Sequence, residues 1–487
     1  MKKNCLVSIF FSVAFAALAQ TNTDSAAPRA MSLADCVQEA LTHNFDVQVQ
    51  RYNPQISLFN LNAAYGGYDP LFSISGQHSH SRFGPEGTNS TVSDQDSINS
   101  AVAGSLPWGT TYSLSGNVAD NYGSSPENSS GAVQAQVTQP LLKNFWIDST
   151  RLTIRVAKNR LHYSEQGLRD QFITSVSAVE NAYYELIFAL DNVTVQQEAL
   201  DLAQTQLDQD KQRVQIGTLA QLSVQSDESQ VASSRASLIA AQSALETDQN
   251  TLKNLLTENY DKWHDTDIEP TATLTAPMQS FDLQDSWNKG MTERPDLLQA
   301  RLNVEQQGIQ LKFYRNQMFP ELDLLGTIGY NGAGREFSDA LGQINQADRP
   351  YYSYGAQLSV PLGNVGPRNQ YKSTKATMQQ LVLTLKQLEQ NVMVEIDNAV
   401  KVAQSDYQSV DATRQARIYA EAALDAEQKT YAVGKATTFE VLQYQSALTA
   451  ARGAEIRALA NYEEALSNLA AQEGTTLERN GIDIDEK

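Results

Sequence analysis

The sequence has almost no cysteine: two residues in 487, Cys5 and Cys36. It also lacks an apolar run able to cross a bilayer as a helix. The longest, Leu6 to Ala19, has 14 residues, against the roughly 20 that a span needs. Mean hydropathy is −0.40, which excludes a helical membrane protein. The one run follows Lys2 and Lys3 and ends in Ala17-Leu18-Ala19. A basic start, an apolar stretch and an A-x-A site predict a secretory signal over residues 1–19, cleaved before Gln20. Cys5 leaves with that signal. Cys36 alone can form neither an intrachain disulfide nor a cysteine-based zinc site. The preceding Leu33-Ala34-Asp35 is the wrong context for a lipid-modified terminus, so Cys36 is expected as a small residue on a helix face.

Basic residues are scarce. Lys and Arg number 36 against 56 Asp and Glu, a net charge of −20. Such a surface repels nucleic-acid phosphates, and no basic cluster offsets it. The five histidines are His43, His78, His80, His162 and His264. None has HExxH or a similar metal spacing. His78 and His80 share a strand face and are expected as a polar pair at a pore or rim. Gly434-Lys435-Ala436-Thr437 lacks the upstream glycine of a phosphate loop. Gly329, Gly332 and Gly334 precede no dinucleotide-binding helix and read as loop. These absences predict no enzyme, no cofactor and no metal site.

Proline is missing from two long stretches, Leu141 to Glu269 and Arg368 to the end. The first holds only Gly167 and Gly217; the second holds Gly434, Gly453, Gly474 and Gly481. Proline breaks helices and glycine weakens them, so both stretches read as very long helices. Apolar residues recur by threes and fours through Phe172, Val176, Val179, Tyr183, Leu186 and Leu190, and again through Leu381, Leu385, Leu388, Val392, Ile396 and Ala399. That seam is a coiled-coil signature. A helix from Ser149 to Arg213 runs about 100 Å, several times the width of a globular domain. Each stretch breaks at one glycine, Gly217 or Gly434, and a second helix follows. This is the pattern of an antiparallel hairpin tip.

Around Pro70 and Pro320 the helical pattern gives way to strict alternation. Tyr352, Tyr354, Ala356, Leu358 and Val360 oppose Tyr351, Ser353, Gly355, Gln357 and Ser359. Val133, Ala135 and Val137 oppose Gln134, Gln136 and Thr138. Strands apolar on one side and small-polar on the other fit a transmembrane barrel with a wet interior; period two alone fits a soluble sandwich equally well. The chain therefore reads as a duplication. The first repeat covers 32–256, with strands over about 70–142 and a helical hairpin over 149–256. A linker covers 257–280. The second repeat covers 281–472, with strands over about 322–361 and a hairpin over 366–472. A tail covers 473–487.

Four elements carry a resemblance: RPDL at Arg294–Leu297, the Pro320 helix-to-strand switch, SVPL at Ser359–Leu362 with its echo TQPLL at Thr138–Leu142, and YAVGKATTFEVLQYQSAL at Tyr431–Leu448. In order and duplication they resemble the outer-membrane efflux protein family. The fold this implies is a mixed α and β membrane protein: a trimeric β-barrel in the outer membrane of a Gram-negative-type cell, continuing into a long α-helical coiled-coil barrel in the periplasm. The implied function is the passive exit duct of a tripartite efflux or secretion system, partnered by a periplasmic adaptor and an inner-membrane transporter. A secreted coiled-coil or adhesin-like protein without channel activity is the alternative reading.

The family pattern gives four strands per chain. Here Val102 to Leu106 and Tyr112 to Val118 add an alternating hairpin around Pro107-Trp108-Gly109-Thr110, with long polar loops expected over about 84–99 and 120–131. Whether it joins the wall or stands above it is open. Trp108, Tyr330, Tyr351, Tyr352 and Tyr354 are expected as interface aromatics. The resemblance further implies adaptor docking at the tips, through Val214, Gly217, Thr218, Leu219, Tyr431, Gly434 and Lys435. It puts a periplasmic gate at Glu440 and Gln443. Glu440 also fits a capping box with Thr437. Ser223 and Ala436 stand where the family carries charge, so hydrogen bonds or packing would hold this gate.

Overall fold

The computed structural model describes residues 28–84, 91–123 and 127–482; the signal expected over residues 1–19 lies outside them. A short strand, β1 (Arg29–Met31), leads into α1 (Leu33–His43) and α2 (Phe45–Tyr65). Four strands follow: β2 (Leu71–Phe83), β3 (Thr91–Ser105), β4 (Thr111–Gly123) and β5 (Asn128–Pro140). Then come α3 (Ser149–Gln215) and α4 (Gln221–Leu256), and the linker elements α5 (Tyr260–Trp263) and β6 (Ile268–Pro270). The second half repeats the plan with α6 (Leu283–Glu293), α7 (Pro295–Asn316), β7 (Glu321–Gly334), α8 (Phe337–Gln346), β8 (Pro350–Ser359), α9 (Val365–Ala432), α10 (Thr438–Glu473) and α11 (Thr476–Arg479). Helices α3 and α9 have 67 and 68 residues. At about 1.5 Å per residue each spans about 100 Å. Among the described residues no helix is long and apolar enough to cross a membrane.

One antiparallel sheet runs in the order β2-β3-β4-β5-β7-β8. The extra hairpin is thus part of the sheet, inserted between β2 and β5. Its inner turn is anchored at the helix junctions: the Arg151 guanidinium donates to the Pro107 carbonyl at 3.0 Å, and the Ser105 hydroxyl donates to the Gly67 carbonyl at 3.2 Å. Of the polar flanks read as loops, residues 91–99, 120–123 and 128–131 are strand, and 85–90 and 124–126 lie outside the described residues. His78 stands opposite Asp96 and His80 opposite Asp94, with ring-to-carboxylate contacts of 2.8 and 2.5 Å. Backbone pairing carries the ladder through residues whose side chains give no alternation signal.

The register sorts side chains by face, because directly opposed residues point the same way. Phe72, Val102, Leu114, Ala135, Ile328 and Tyr352 form one row across all six strands. The next row, on the opposite face, is Ser73, Ala101, Ser115, Gln134, Gly329 and Tyr351. Tyr351 therefore leaves the aromatic set. Its hydroxyl donates to Gln134 across the small-polar face, while Tyr352 and Tyr354 stand exposed on the apolar one.

Gly329, Gly332 and Gly334 all lie in β7 and not in a loop. The reason is α8, which packs flat on the apolar face. A Cβ at Gly332 would sit 2.1 Å from the Ala340 carbonyl oxygen.

The helical core forms where α1, α3, α4 and the linker meet, around Cys36, Val176, Val179, Tyr183, Leu252 and Ile268. Burial pushes the Cys36 thiol up to about 12, so it is an inert packing residue. The Tyr183 hydroxyl donates to the Met31 carbonyl at 3.1 Å and accepts from the Ala272 amide at 3.3 Å. The RPDL motif is a junction. Arg294 grips Asp296 with two bonds, of 3.1 and 2.7 Å, and reaches Glu395 on α9 and the Gln472 side chain on α10, each at 2.8 Å. Pro295 starts α7, and Leu297 is fully buried.

Candidate functional site

The ends of the two long hairpins form the candidate site. Gly217 and Gly434 close them with φ of +76° and +75°. This is the left-handed region that a helix C-terminus uses to turn back, and it favours glycine. The Thr218 amide bonds the Arg213 carbonyl at 2.9 Å, and the Lys435 amide bonds the Thr430 carbonyl at 3.1 Å. The two turns are thus the same motif made twice.

Exposure at the tips differs from the expected set. Gly217, Thr218, Gly434 and Lys435 face solvent, but Val214 and Leu219 are half-buried. Tyr431 is only 7% exposed and turns inward. The outward apolar residues are Ile216, Leu222, Val433 and Phe439, the last 73% exposed. They flank the turns, where a spacing rule for helix faces no longer applies.

Tyr431 links the hairpins. Its hydroxyl meets both carboxylate oxygens of Asp210 on α3 at 2.7 Å and lies 3.0 Å from the Thr438 hydroxyl. The Gln206 amide donates to the same Asp210 carboxylate at 3.0 Å, and the Thr438 hydroxyl at 3.3 Å. The Arg213 guanidinium covers the Tyr431 ring at 4.5 Å, a cation–π contact. Beside Asp210 sits Asp227 on α4, 1% exposed, whose carboxylate is met by no donor group and faces the Asp210 carboxylate. Burial first, and the neighbouring Asp210 second, push its carboxyl up to about 7. Neither acid was among the expected site residues. The signal was present, since Ala203, Leu207, Asp210 and Val214 keep the three-four spacing of the seam. An acid on an apolar stripe must be either neutral or partnered.

Glu440 and Gln443 are both exposed and take no part in this network. Glu440 caps α10: its carboxylate accepts from the Thr437 amide at 2.7 Å and the Thr437 hydroxyl at 2.9 Å, and its own amide donates back to that hydroxyl at 3.3 Å. The Thr437 amide, then the hydroxyl, hold this carboxyl below the usual range. Farther from the tip, Arg452 on α10 joins Glu198 on α3 to Glu421 on α9. Among the described residues there is no cluster able to hold a metal.

The family model described as Outer membrane efflux protein matches residues 36–258 and 289–475. The chain belongs to the outer membrane efflux protein family. TolC of Escherichia coli strain K12 is 24% identical over 313 residues, which are 63% of this chain and 62% of TolC. The chain therefore spans just under two thirds of that relative. Among solved structures, the outer-membrane channel OprN aligns with a TM-score of 0.70 at 14% identity, covering 91% of this chain and 90% of the other. VceC of Vibrio cholerae aligns at 0.67 and 18% identity, covering 91% and 96%. At these identities the likeness concerns the fold. Membership in this efflux family places the chain in the outer membrane, extending into the periplasm. The family is one of channels, not enzymes.

Proposed function

We propose that three copies of this chain form the passive exit duct of a tripartite efflux or secretion system, fed by an inner-membrane transporter through a periplasmic adaptor. One observation carries the reading. Six strands share an apolar row on one face and a small-polar row on the other, and Phe72, Ile328 and Tyr352 in the apolar row stand exposed. Such a sheet suits the wall of a water-filled pore in lipid. An open edge is not tolerated in hydrocarbon, so the wall must close, and cyclic symmetry is the usual route. Heat-resistant trimers in outer-membrane fractions, with ion conductance in planar bilayers, are the expected result. A soluble, non-conducting trimer or monomer supports the secreted coiled-coil reading instead.

The tips are the adaptor-docking surface in this reading. Ile216, Leu222, Val433 and Phe439 supply exposed apolar contacts beside the turns at Gly217-Thr218-Leu219 and Gly434-Lys435. The double variant Leu222→Glu and Phe439→Glu is expected to abolish export in a reconstituted system and leave trimer yield unchanged. Full export by that variant rejects docking at these residues.

Glu440 has a second proposed role. Three symmetry copies, with Gln443 one turn on, would ring the tip and favour cations. Glu440→Gln keeps an acceptor for the Thr437 amide and removes the ring charge. Lower cation selectivity and weaker block by multivalent cations from the periplasmic side are expected. Selectivity identical to the parent channel reduces Glu440 to a helix cap.

A further inference from the structure

We infer that β8 of one copy pairs with β2 of the next, so that three copies close an eighteen-stranded barrel with the β3–β4 hairpin built into its wall. This rests on the trimeric duct proposed above and fixes how its wall is made.

Three observations carry it. The first is ladder continuity. β2 pairs with β3 from Leu71 opposite Ala103 to Phe83 opposite Thr91, and β3 pairs with β4 from Ser105 opposite Thr111 to Ser93 opposite Gly123. The inserted strands are therefore paired along their length and are not a flap lying over β2 and β5. The second is the character of the outer strands. β2 and β8 end the sheet and have no further strand partner among the described residues. True edges are protected by charge, proline or bulges. Leu71 to Gln77 and Tyr351 to Ser359 contain no charged residue and no proline. Pro350 stands at the first position of β8, where its missing N–H costs a ladder least. With six alternating strands, β2 and β8 run in opposite directions, so the new pair is antiparallel like all the others.

The third observation is a match of circumference. The helices that meet the sheet are α2, α3, α7 and α9, four per copy, packed in that order. Twelve helices at roughly 9 Å spacing measure about 110 Å around. Eighteen strands about 4.8 Å apart and tilted by about 40° also measure about 110 Å, or about 36 Å across.

Cysteine cross-linking in outer-membrane fractions tests this. Single cysteines at Ser73, Ser75 or Gln77 on β2 are combined with single cysteines at Ser353, Gly355 or Gln357 on β8, all on the small-polar face. Oxidation is expected to link chains through at least one register, shifting the denatured protein to two- and three-chain masses. The pairs Ser73–Ala101 and Ser115–Gln134 should link only within a chain. Cryo-electron microscopy in nanodiscs should count eighteen strands. Trimers whose β2 cysteines link to Gln134 or Gln136 of β5, or a twelve-strand wall, overturn the inference and leave the duct standing. Absence of trimers, with no interchain link at any register, overturns both.

Discussion

Replacing Asp210 with alanine is expected to raise single-channel conductance severalfold, because it removes the acceptor on which the two hairpins converge. One carboxylate takes hydrogen bonds from Tyr431, Thr438 and Gln206. Bonds to a charged acceptor are worth about 1.5–3 kcal/mol each, so their combined loss is expected to part the hairpins. Tyr431→Phe removes one donor and is expected to produce a smaller increase. The latch is also expected to depend on pH through Asp227. Its carboxyl is raised to about 7 where the two hairpins pack together, against about 3.9 in water. The packed hairpins therefore hold a proton that parted, wetted hairpins would release. The stabilisation this gives is complete below about pH 4 and is lost as pH rises to 7. Conductance recorded at pH 5 and pH 8 should be higher at pH 8, and Asp227→Asn should flatten the difference. An unchanged conductance in Asp210→Ala across that range would show that the gate lies elsewhere.

Arg294→Ala is expected to cost about 1–3 kcal/mol, because the guanidinium is mostly buried while its carboxylate partners are a third to a half exposed and can hydrate when it is gone. Its side chain is 13% exposed and holds α7, α9 and α10 together through Asp296, Glu395 and Gln472. Arg294→Lys keeps the charge but not the two-pronged grip on Asp296, so an intermediate loss is expected. Lys429→Ala, which breaks the exposed pair with Asp425, should change stability by less than about 1 kcal/mol. Thermal unfolding followed by helical circular dichroism ranks the three. A Tm for Arg294→Ala equal to that of Lys429→Ala would refute the junction role of the motif.

The long helices and their tips were legible because proline and glycine act locally. Their absence over Leu141–Glu269 and their return at Gly217 and Gly434 say where the chain continues and where it turns. The capping box at Thr437 and Glu440 was legible for the same reason. Elements whose stability is not local were not legible. β1 is three residues long and exists only because β6 lies beside it. The upper parts of β3 and β4 carry Asp94, Asp96 and Asp120, and only the backbone ladder makes them strands. At the tip, periodicity told which residues share a face but not what lies across from that face. Tyr431 was therefore expected outside, when Asp210 draws it in.

The pairing of β5 with β7, Gln134 opposite Gly329, has a consequence for the order of folding. These strands are separated in sequence by the whole first hairpin and the linker. β5 can pair with β4 as soon as it emerges, but its other side stays open until β7 arrives. Long-range pairing of this kind is slow, since loop closure must precede any gain from contact. In the interval β5 is an open sheet edge that carries the exposed apolar residues Val133 and Val137. Such a strand is a template for aggregation. The first repeat is therefore the aggregation-prone half of the chain until β7 arrives, and a chain cut after residue 256 is expected to scatter light at lower concentration than the full chain.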